Sequence, residues 1–453
     1  MKVISEANTA VLKVLAKFNK KTEKSRLMHY VVETPTEGGV LLYNLLTLEM
    51  VFLTDEEYRL RGDSDYLKKQ WFIVPESTNE KELADLVKMV INPRQDNLNP
   101  IVGYTIFTTT DCNARCFYCF ELGRTRIPMS EETAYKVAKY ICEHSNGEKV
   151  RISWFGGEPL FNVSAIDIIT SELAKAGVEF KSSAVSNGYL FDEETVKKAV
   201  SLWKLKRVQI SLDGTEDVYN KTKAYIYKNT NPYQIVLNNI GHLLDAGVSV
   251  QIRLNMDLYN AEELMELIKE LAERFEGQKK LCIYAHYIFD GNIPMAELRT
   301  ESEWQQREEL MCKIENLIEE KGFAFKSGIA KRLKRNHCMA DSGRSVTILP
   351  DGNIGLCEHF SENEFIGHID RDSFDESVIR SWKETTEEIA ECAQCFYYPQ
   401  CIHLKKCAND RICFAQSRNG TLRKVKRQML NEYKHWIEKS DPEENDDDFI
   451  VAE

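Results

Sequence analysis

The chain has 453 residues, enough for two or three domains with a hydrophobic core each. Its net charge of −12 argues against nonspecific nucleic-acid binding, which needs clustered Lys and Arg. No apolar run approaches the ~18 residues of a membrane span, and the opening MKVISEANTAVLKVLAKFNKK lacks the apolar core of a signal peptide. We therefore expect a cytoplasmic protein that binds neither nucleic acid nor membranes.

The cysteine content is the first indication of chemistry. The chain has 13 cysteines, an odd number, and most of them fall in tight groups. Structural disulfides are rare in the cytoplasm, so metal binding or redox chemistry is the favoured use of these thiols.

Residues 1–100 have the pattern of a small separate module. The segment HYVVETPTEGGVLLYNLLTLEMVFLTDEEY predicts strands around a turn at Gly38–Gly39 and a second turn near Asn44 to Leu48. EKELADLVKMVIN then has helical spacing, and NPRQDNLNP has the composition of a linker.

Residues 101–325 alternate between strand and helix patterns. The candidate strands are IVGYTIFTT, VRISWF, FKSSAVS, RVQISL, VSVQIRL and LCIYAHY, with amphipathic segments between them. Strands joined by helices predict an α/β domain with a parallel sheet, either open or curved into a partial barrel. Active sites of such sheets lie at the carboxyl ends of the strands.

Residues 326–425 form a cysteine-rich segment in which that alternation stops. Residues 426–453 continue the basic helix TLRKVKRQMLNEYKHWIEK and end in the acidic SDPEENDDDFIVAE, which we expect to be disordered.

Three cysteines follow the first candidate strand directly. Cys112, Cys116 and Cys119 are spaced C-x3-C-x2-C, so three thiolates on one loop could each ligate one iron of a cubane cluster. The fourth iron would then be open to another ligand, as a catalytic zinc position is. A zinc site completed by a distant residue, or three buried thiols, are the alternatives from the loop alone.

This loop, with Tyr118 before its last cysteine, resembles the signature of the radical S-adenosylmethionine (SAM) superfamily. Motifs at the following strand ends resemble the same family, although each alone is a common turn sequence. They are Gly156, Gly157, Glu158 and Pro159 after the second strand; Ser186 and Asn187 after the third; Ser211 and Asp213 at the fourth; and Arg253 and Asn255 at the fifth.

The resemblance implies a partial (β/α)6 TIM-like barrel, with SAM contacted by those strand-end residues and by Tyr118. The catalytic cysteines Cys112, Cys116 and Cys119 would hold a [4Fe–4S] cluster that binds SAM. Reductive cleavage of SAM would give a 5′-deoxyadenosyl radical that abstracts hydrogen from a substrate. A flavodoxin- or ferredoxin-type reductant is the partner that such chemistry implies.

The C-terminal cysteines resemble the SPASM pattern of auxiliary iron–sulfur clusters. By that resemblance Cys392, Cys395, Cys401 and Cys413 would hold one [4Fe–4S] cluster, and Cys338, Cys357 and Cys407 a second one with an open iron. With the SAM-binding cluster this makes three [4Fe–4S] clusters. The spacing departs from the pattern at Cys407 and Cys413, and zinc knuckles that include His403 are the alternative.

The module at residues 1–100 is similar in size and pattern to the winged-helix-like leader-binding modules of enzymes that modify ribosomally made peptides. Such modules capture an extended leader as an added strand. A local basic groove for an acidic leader peptide is compatible with the acidic chain. A capping module without a peptide role is the alternative.

The resulting prediction is a radical SAM peptide maturase that forms a thioether or another cross-link on a precursor peptide. A peptide epimerase with Cys282 as hydrogen donor, and a sulfatase-maturing type of enzyme, are the enzymatic alternatives. An iron–sulfur electron-transfer protein is the non-enzymatic one.

Overall fold

The computed structural model shows a mixed α/β protein made of two compact units. It describes residues 1–18, 24–91, 98–119, 121, 123–288, 301–324, 327–334, 336, 338–359, 364–371, 373–402, 404–407, 413 and 415–440. Contacts group Met1–Arg94, Lys326–His337 and Thr385–Glu453 into one unit, and Gln95–Phe325 with Cys338–Glu384 into the other. None of the helices in the described part of the chain combines the length and the apolar character that crossing a membrane requires.

The first unit, called here the sheet–cysteine unit, is built on a four-stranded antiparallel sheet in the order β1-β5-β4-β3, with a separate ribbon of β2 and β6. Its strands are β1 Lys2–Ser5, β2 Ser25–Leu27, β3 Val31–Thr36, β4 Gly39–Asn44, β5 Met50–Thr54 and β6 Ile73–Pro75. Its helices in the N-terminal segment are α1 Thr9–Leu15, α2 Asp55–Arg59, α3 Asp65–Lys69 and α4 Glu80–Ile91. The predicted turns at Gly38–Gly39 and Asn44 to Leu48 join β3, β4 and β5; the winged-helix-like detail stays a prediction.

The second unit, called here the barrel unit, contains six consecutive parallel strands in the order β12-β11-β10-β9-β8-β7. They are β7 Gly103–Thr109, β8 Val150–Gly156, β9 Phe180–Ser186, β10 Leu205–Leu212, β11 Ser249–Met256 and β12 Leu281–Tyr287. The helices of this unit before residue 325 are α5 Glu131–His144, α6 Val163–Lys175, α7 Glu193–Ser201, α8 Glu216–Lys223, α9 Pro232–Asp245, α10 Ala261–Arg274 and α11 Glu301–Glu320. The predicted α/β fold with a partial-barrel sheet is confirmed.

Side chains alternate along these strands between two environments. On β11 the residues Val250, Ile252 and Leu254 are fully buried in the core with the leucines of α9 and α10, and the residues between them are partly exposed. Alternation in a sheet puts successive side chains on opposite faces. The helices therefore cover one face of the sheet, and the other face stays available for a site.

The cysteine-rich segment contributes to both units. Three of its strands join the barrel sheet: β13 Ser345–Ile348 runs parallel beside β7, and β14 Asn353–Gly355 and β15 Gly367–His368 follow in antiparallel order. α12 Glu376–Trp382 also belongs to the barrel unit. The rest, with α13 Ala415–Ser440, packs in the sheet–cysteine unit. The four-part division predicted from the sequence stays a prediction, and the acidic tail and His403 lie outside the described residues.

Candidate functional site

The three-cysteine loop follows β7 at the carboxyl end of the barrel sheet. Cys112, Cys116 and Cys119 are all partly exposed. Burial is the largest cause that raises the pKa of Cys112, followed by the negative charge of Glu158, with smaller contributions from Cys116 and Cys119. The pKa of Cys112 lies at about 12.

Backbone and amide groups surround the first of these thiols. The Ala114 N–H lies 3.3 Å from the Cys112 sulfur, and Nδ2 of Asn187 lies 3.8 Å from it. Hydrogen bonds from N–H groups to sulfur are one of the means by which proteins tune iron–sulfur clusters. Cys112, Cys116 and Cys119 therefore fit an iron–sulfur cluster in donor type and in surroundings.

The two glycines after β8 lie directly against this loop. A Cβ atom on Gly156 would stand 2.1 Å from the Thr109 carbonyl oxygen, and one on Gly157 would stand 2.3 Å from that of Asp111. Gly156 also has a φ of +122°, which side-chain-bearing residues rarely adopt. The pair therefore allows the end of β8 to touch the cluster loop, and the next residue but one, Pro159, begins a short 3-10 helix.

Glu158 joins the ends of β8 and β9. It is fully buried, and its carboxylate accepts hydrogen bonds from the Asn187 N–H at 2.7 Å, the Ser186 hydroxyl at 2.8 Å and the Leu160 N–H at 3.1 Å. Burial raises its pKa to about 7 against the lowering effect of these hydrogen bonds. In this structure the hydrogen bonds of Glu158 thus hold the ends of β8 and β9 together.

A second polar network joins the ends of β10 and β11 to the cluster loop. The Tyr118 hydroxyl lies 2.7 Å from the Asp213 carboxylate and 3.1 Å from Nδ2 of Asn255, which also donates to Asp213 at 2.8 Å. Three residues predicted from separate motifs are therefore in mutual contact.

Lys223, which sequence reasoning missed, holds this network together. Its ammonium group donates to the Tyr118 hydroxyl at 2.8 Å and to the Ser211 hydroxyl at 2.6 Å, and it lies 3.1 Å from the Asp213 carboxylate. Its carbonyl accepts from the Arg115 N–H at 2.8 Å, inside the cluster loop. Burial lowers the pKa of Lys223, but the negative charge of Asp213 and its neighbours outweighs it, so the group stays charged. No motif marks this lysine in the sequence.

Arg253 takes no part in either network. Its Nη2 lies 3.0 Å from Nδ1 of His286 on β12, and its Nε is buried without a hydrogen-bond partner. Arg253 is the register partner of Ser211 on β10, and its role as a SAM contact stays a prediction.

Four of the C-terminal cysteines come together in the sheet–cysteine unit. The pKa of Cys401 is raised to about 12; burial is the largest cause, and the negative charges of Cys395, Cys413 and Cys392 contribute to it. These are the four thiols predicted to hold one complete auxiliary cluster, so their donor set fits such a cluster. Cys338 and Cys357 belong to the barrel unit and Cys407 to the other, and these three stay a predicted set.

Lys88, on α4 of the N-terminal segment, is a second residue that the sequence did not indicate. Its Nζ lies 3.4 Å from the Cys401 carbonyl oxygen and 4.0 Å from the centre of the Tyr398 ring. Its positive charge lowers the pKa of Cys401, which opposes the effect of burial. The N-terminal segment therefore places a cation beside the four thiols.

Comparison with known proteins identifies a domain in the barrel unit. The profile of the radical SAM superfamily matches residues 106–271, which include the cluster loop and the strand ends described above. The chain contains a radical SAM domain. The radical SAM domain implies a [4Fe–4S] cluster and SAM as its cofactors. No curated protein sequence matches the chain.

Several solved structures share the fold of this chain. anSMEcpe with bound AdoMet and Cp18Cys peptide has a TM-score of 0.54 at 15% identity, covering 75% of this chain and 99% of that chain. Streptococcus suis SuiB bound to S-adenosylmethionine has a TM-score of 0.50 at 14% identity, covering 84% and 96%. SuiB bound to the precursor peptide SuiA gives 0.50 at 13% identity, covering 85% and 96%. The likeness to all three is one of fold.

Proposed function

We propose that this radical SAM enzyme is a peptide maturase that forms a thioether or another cross-link in a ribosomally made precursor peptide. The observation that carries the proposal is that Cys392, Cys395 and Cys413 lie near enough to Cys401 for their charges to affect its pKa, which makes them a second thiol group. A cross-link removes two hydrogens, so one electron beyond the hydrogen atom abstracted must leave the substrate. A second cluster gives that electron a route.

The chemistry of the first step belongs to the cofactors. When bound, the cluster and SAM supply a 5′-deoxyadenosyl radical that abstracts a hydrogen atom from the substrate. The protein positions SAM and the substrate and shields the radical from water. Cys112, Cys116 and Cys119 would hold the SAM-binding cluster. The residues that would surround SAM are the two glycines with Tyr118, Glu158, Pro159, Ser186, Asn187, Ser211, Asp213, Arg253 and Asn255.

The N-terminal segment supports a peptide substrate. β1 lies at one edge of its sheet, where β5 is its pairing partner among the described residues, and two of its four residues are exposed. A cavity of about 450 Å³ adjoins its end and is lined by Ser5 to Thr9, Leu48, Ile329 to Lys331 and Glu432. An exposed strand edge can accept an extended peptide as an added strand. We place leader capture at this edge.

Solved proteins of the same fold support the substrate class. SuiB has been seen with its precursor peptide SuiA, and anSMEcpe with the Cp18Cys peptide. For this chain a precursor peptide is accordingly the proposed partner. A flavodoxin- or ferredoxin-type reductant and an oxygen-poor cytoplasm complete the proposal.

Epimerisation is the second candidate, and one observation favours it. Cys282 alternates with core residues on β12, so its thiol faces away from the helices. Burial raises its pKa to about 11, which keeps the thiol protonated as a hydrogen donor must be. It stands four residues before His286, roughly 13 Å nearer the start of the strand.

The test is the mass of short cysteine-containing peptides encoded beside the gene after anaerobic co-expression with this enzyme. Loss of two hydrogen masses with the wild type, but not with Cys116→Ala, would establish cross-linking. We expect Cys401→Ala to keep SAM cleavage and lose the cross-link. An unchanged mass that gains deuterium in heavy water would show epimerisation instead. SAM cleavage without any change in a peptide would contradict both and favour a sulfatase-maturing type of activity.

A further inference from the structure

Two cations from distant parts of the chain lie beside the thiols of the proposed auxiliary cluster. We call these thiols the four-thiol group; its members are Cys392, Cys395, Cys401 and Cys413. Lys88 reaches the group from α4 in the N-terminal segment, and Arg418 reaches it from α13. All of these residues belong to the sheet–cysteine unit.

Lys88 is partly buried, and no carboxylate among the described residues lies within ion-pair distance of its ammonium group. Its Nζ lies 3.4 Å from the Cys401 carbonyl oxygen and 4.0 Å from the centre of the Tyr398 ring. Lys81, two turns earlier on α4, differs because its ammonium group pairs with two carboxylates, at 2.8 and 3.0 Å. Taking an ammonium group out of water is costly, so a negatively charged cluster beside Lys88 would be stabilising.

Arg418 lies near the N-terminal end of α13, which begins two residues after Cys413. Its Nη1 donates to the Cys413 sulfur at 3.6 Å. A cation is unfavourable at this end of a helix, where the macrodipole is positive, and the first turn of α13 contains no acidic residue to balance it. Negative charge on the four-thiol group would offset this cost, because Cys413 lies at the same helix end.

The charges of both residues act on the sulfurs. Burial is the largest cause that raises the pKa of Cys401 and the pKa of Cys395. The positive charge of Lys88 lowers the pKa of Cys401, and that of Arg418 lowers the pKa of Cys395. A cation that favours a thiolate also favours added negative charge on a cluster held by that thiolate, since the Coulomb attraction is the same.

We infer that Lys88 and Arg418 raise the reduction potential of the auxiliary cluster and so make it an electron acceptor. This inference rests on the proposed function and gives the N-terminal segment a part in its redox step. When a carbon radical of the peptide bonds to a sulfur, the thiol proton goes to solvent and one electron goes to the oxidised cluster. Reduction adds one negative charge to the cluster, and nearby cations stabilise that charge.

The test is a redox titration of the full chain, reconstituted anaerobically and followed by electron paramagnetic resonance. Alanine substitutions at the three cysteines of the cluster loop remove the SAM-binding cluster, and the signal that Cys401→Ala lacks belongs to the four-thiol group. We expect Lys88→Met and Arg418→Met each to lower the equilibrium constant for reduction about tenfold, which is a potential about 59 mV lower for a one-electron couple. Lys88→Arg should retain the wild-type potential, because it keeps the charge.

Lys434→Met is the matched control. Lys434 is exposed on the same helix as Arg418, sixteen residues further on and roughly 24 Å away, beyond the range over which exposed charges interact in salt. Its substitution should leave the potential unchanged. An equal shift in Lys434→Met, or wild-type potentials in both Lys88→Met and Arg418→Met, would overturn the inference.

Two further outcomes would also overturn the inference. One is the absence of any signal that depends on Cys401. The other is loss of the signal from Lys88→Met and Lys88→Arg alike, because Lys88 would then be needed to build the site and not to set its potential.

The peptide mass measurement separates a failure of this inference from a failure of the proposed function. A cross-linked peptide together with unshifted potentials would overturn the role of the two cations and leave the proposed function standing. Shifted potentials without any modified peptide would support the role of the cations and count against the proposed function.

Discussion

Glu158 shows how one buried carboxylate connects neighbouring motifs. It takes three hydrogen bonds from Ser186, Asn187 and Leu160 while having no exposed surface. Hydrogen bonds favour its ionised form and burial disfavours it, and burial prevails because its pKa lies at about 7. Glu158, in the motif Gly156 to Pro159, therefore has a structural function in holding two strand ends, whatever the contact of the motif with SAM.

This balance predicts a pH dependence of stability. The folded pKa of about 7 lies above the ordinary 4.5, so the contribution of Glu158 is fully present below pH 4.5 and is lost as the pH rises through 7. Between pH 5 and 8 the loss is at most roughly 3 kcal/mol. We expect Glu158→Gln to make the fall in unfolding free energy over this range shallower. Urea denaturation at both pH values measures it.

The matched control is Glu193→Gln, an exposed carboxylate paired with Lys197 on α7. It should leave the dependence of the unfolding free energy on pH the same as in the wild type. An identical slope in Glu158→Gln would show that the carboxylate does not titrate in this range.

At the scale of elements, the cluster loop is fixed from two sides. The glycine pair after β8 touches its backbone, and Lys223 at the end of α8 holds both Tyr118 and the Arg115 N–H. Packed backbone atoms cannot move singly, so the loop position depends on these contacts.

A methyl group at Gly157 tests this arrangement. The added Cβ would stand within 3 Å of the carbonyl oxygens of Asp111 and Thr110, so the loop must shift. We expect Gly157→Ala to lower iron incorporation at the SAM-binding cluster and SAM cleavage together. Electron paramagnetic resonance of the reduced cluster and 5′-deoxyadenosine formation measure the two effects.

Gly241→Ala is the control for this substitution. Gly241 lies within α9 with no atom within 4 Å of an added Cβ, so alanine should stabilise the helix by up to about 1 kcal/mol. Normal iron incorporation in Gly157→Ala would contradict the proposed dependence of the loop on this contact.

At the scale of the whole molecule, the two ends of the chain share one hydrophobic core. Leu83 and Val87 of α4 are buried in the same cluster as Val425 and Met429 of α13. Polar contacts reinforce it, such as the 3.1 Å bond from Nε2 of Gln400 to the Leu45 carbonyl. The four-thiol group is therefore built on a unit that needs the N-terminal segment to fold.

Removing part of this core should destabilise the cysteine group. Met429 is fully buried, and its sulfur accepts from the Thr34 hydroxyl at 3.4 Å. We expect Met429→Ala to cost about 2–5 kcal/mol of unfolding free energy and to reduce auxiliary iron, because it leaves a cavity. Met89→Ala, at a residue that is 68% exposed, should change neither. Denaturant unfolding and iron content report the outcome, and equal stability of both variants would refute it.

The sequence by itself determined the barrel and the main site. Six strand patterns separated by amphipathic segments predicted β7 to β12. Hydrophobic periodicity and the residues that end strands and helices are local properties of the chain, so they can be identified from the sequence. The cysteine spacing and the strand-end motifs resembled those of the radical SAM superfamily. Because the carboxyl ends of parallel strands meet at one edge of a sheet, these motifs were expected to lie together.

Only the tertiary structure decided the contacts that join distant segments. No local sequence pattern predicts the contacts of Lys223 with Tyr118, of Lys88 with Cys401 or of β13 with β7. Long-range packing and burial bring these residues together. The same holds for Arg253, whose Nη2 lies 3.0 Å from Nδ1 of His286 on the neighbouring strand. Spacing along a strand sets the face of a side chain, but its partners depend on the strand that pairs beside it.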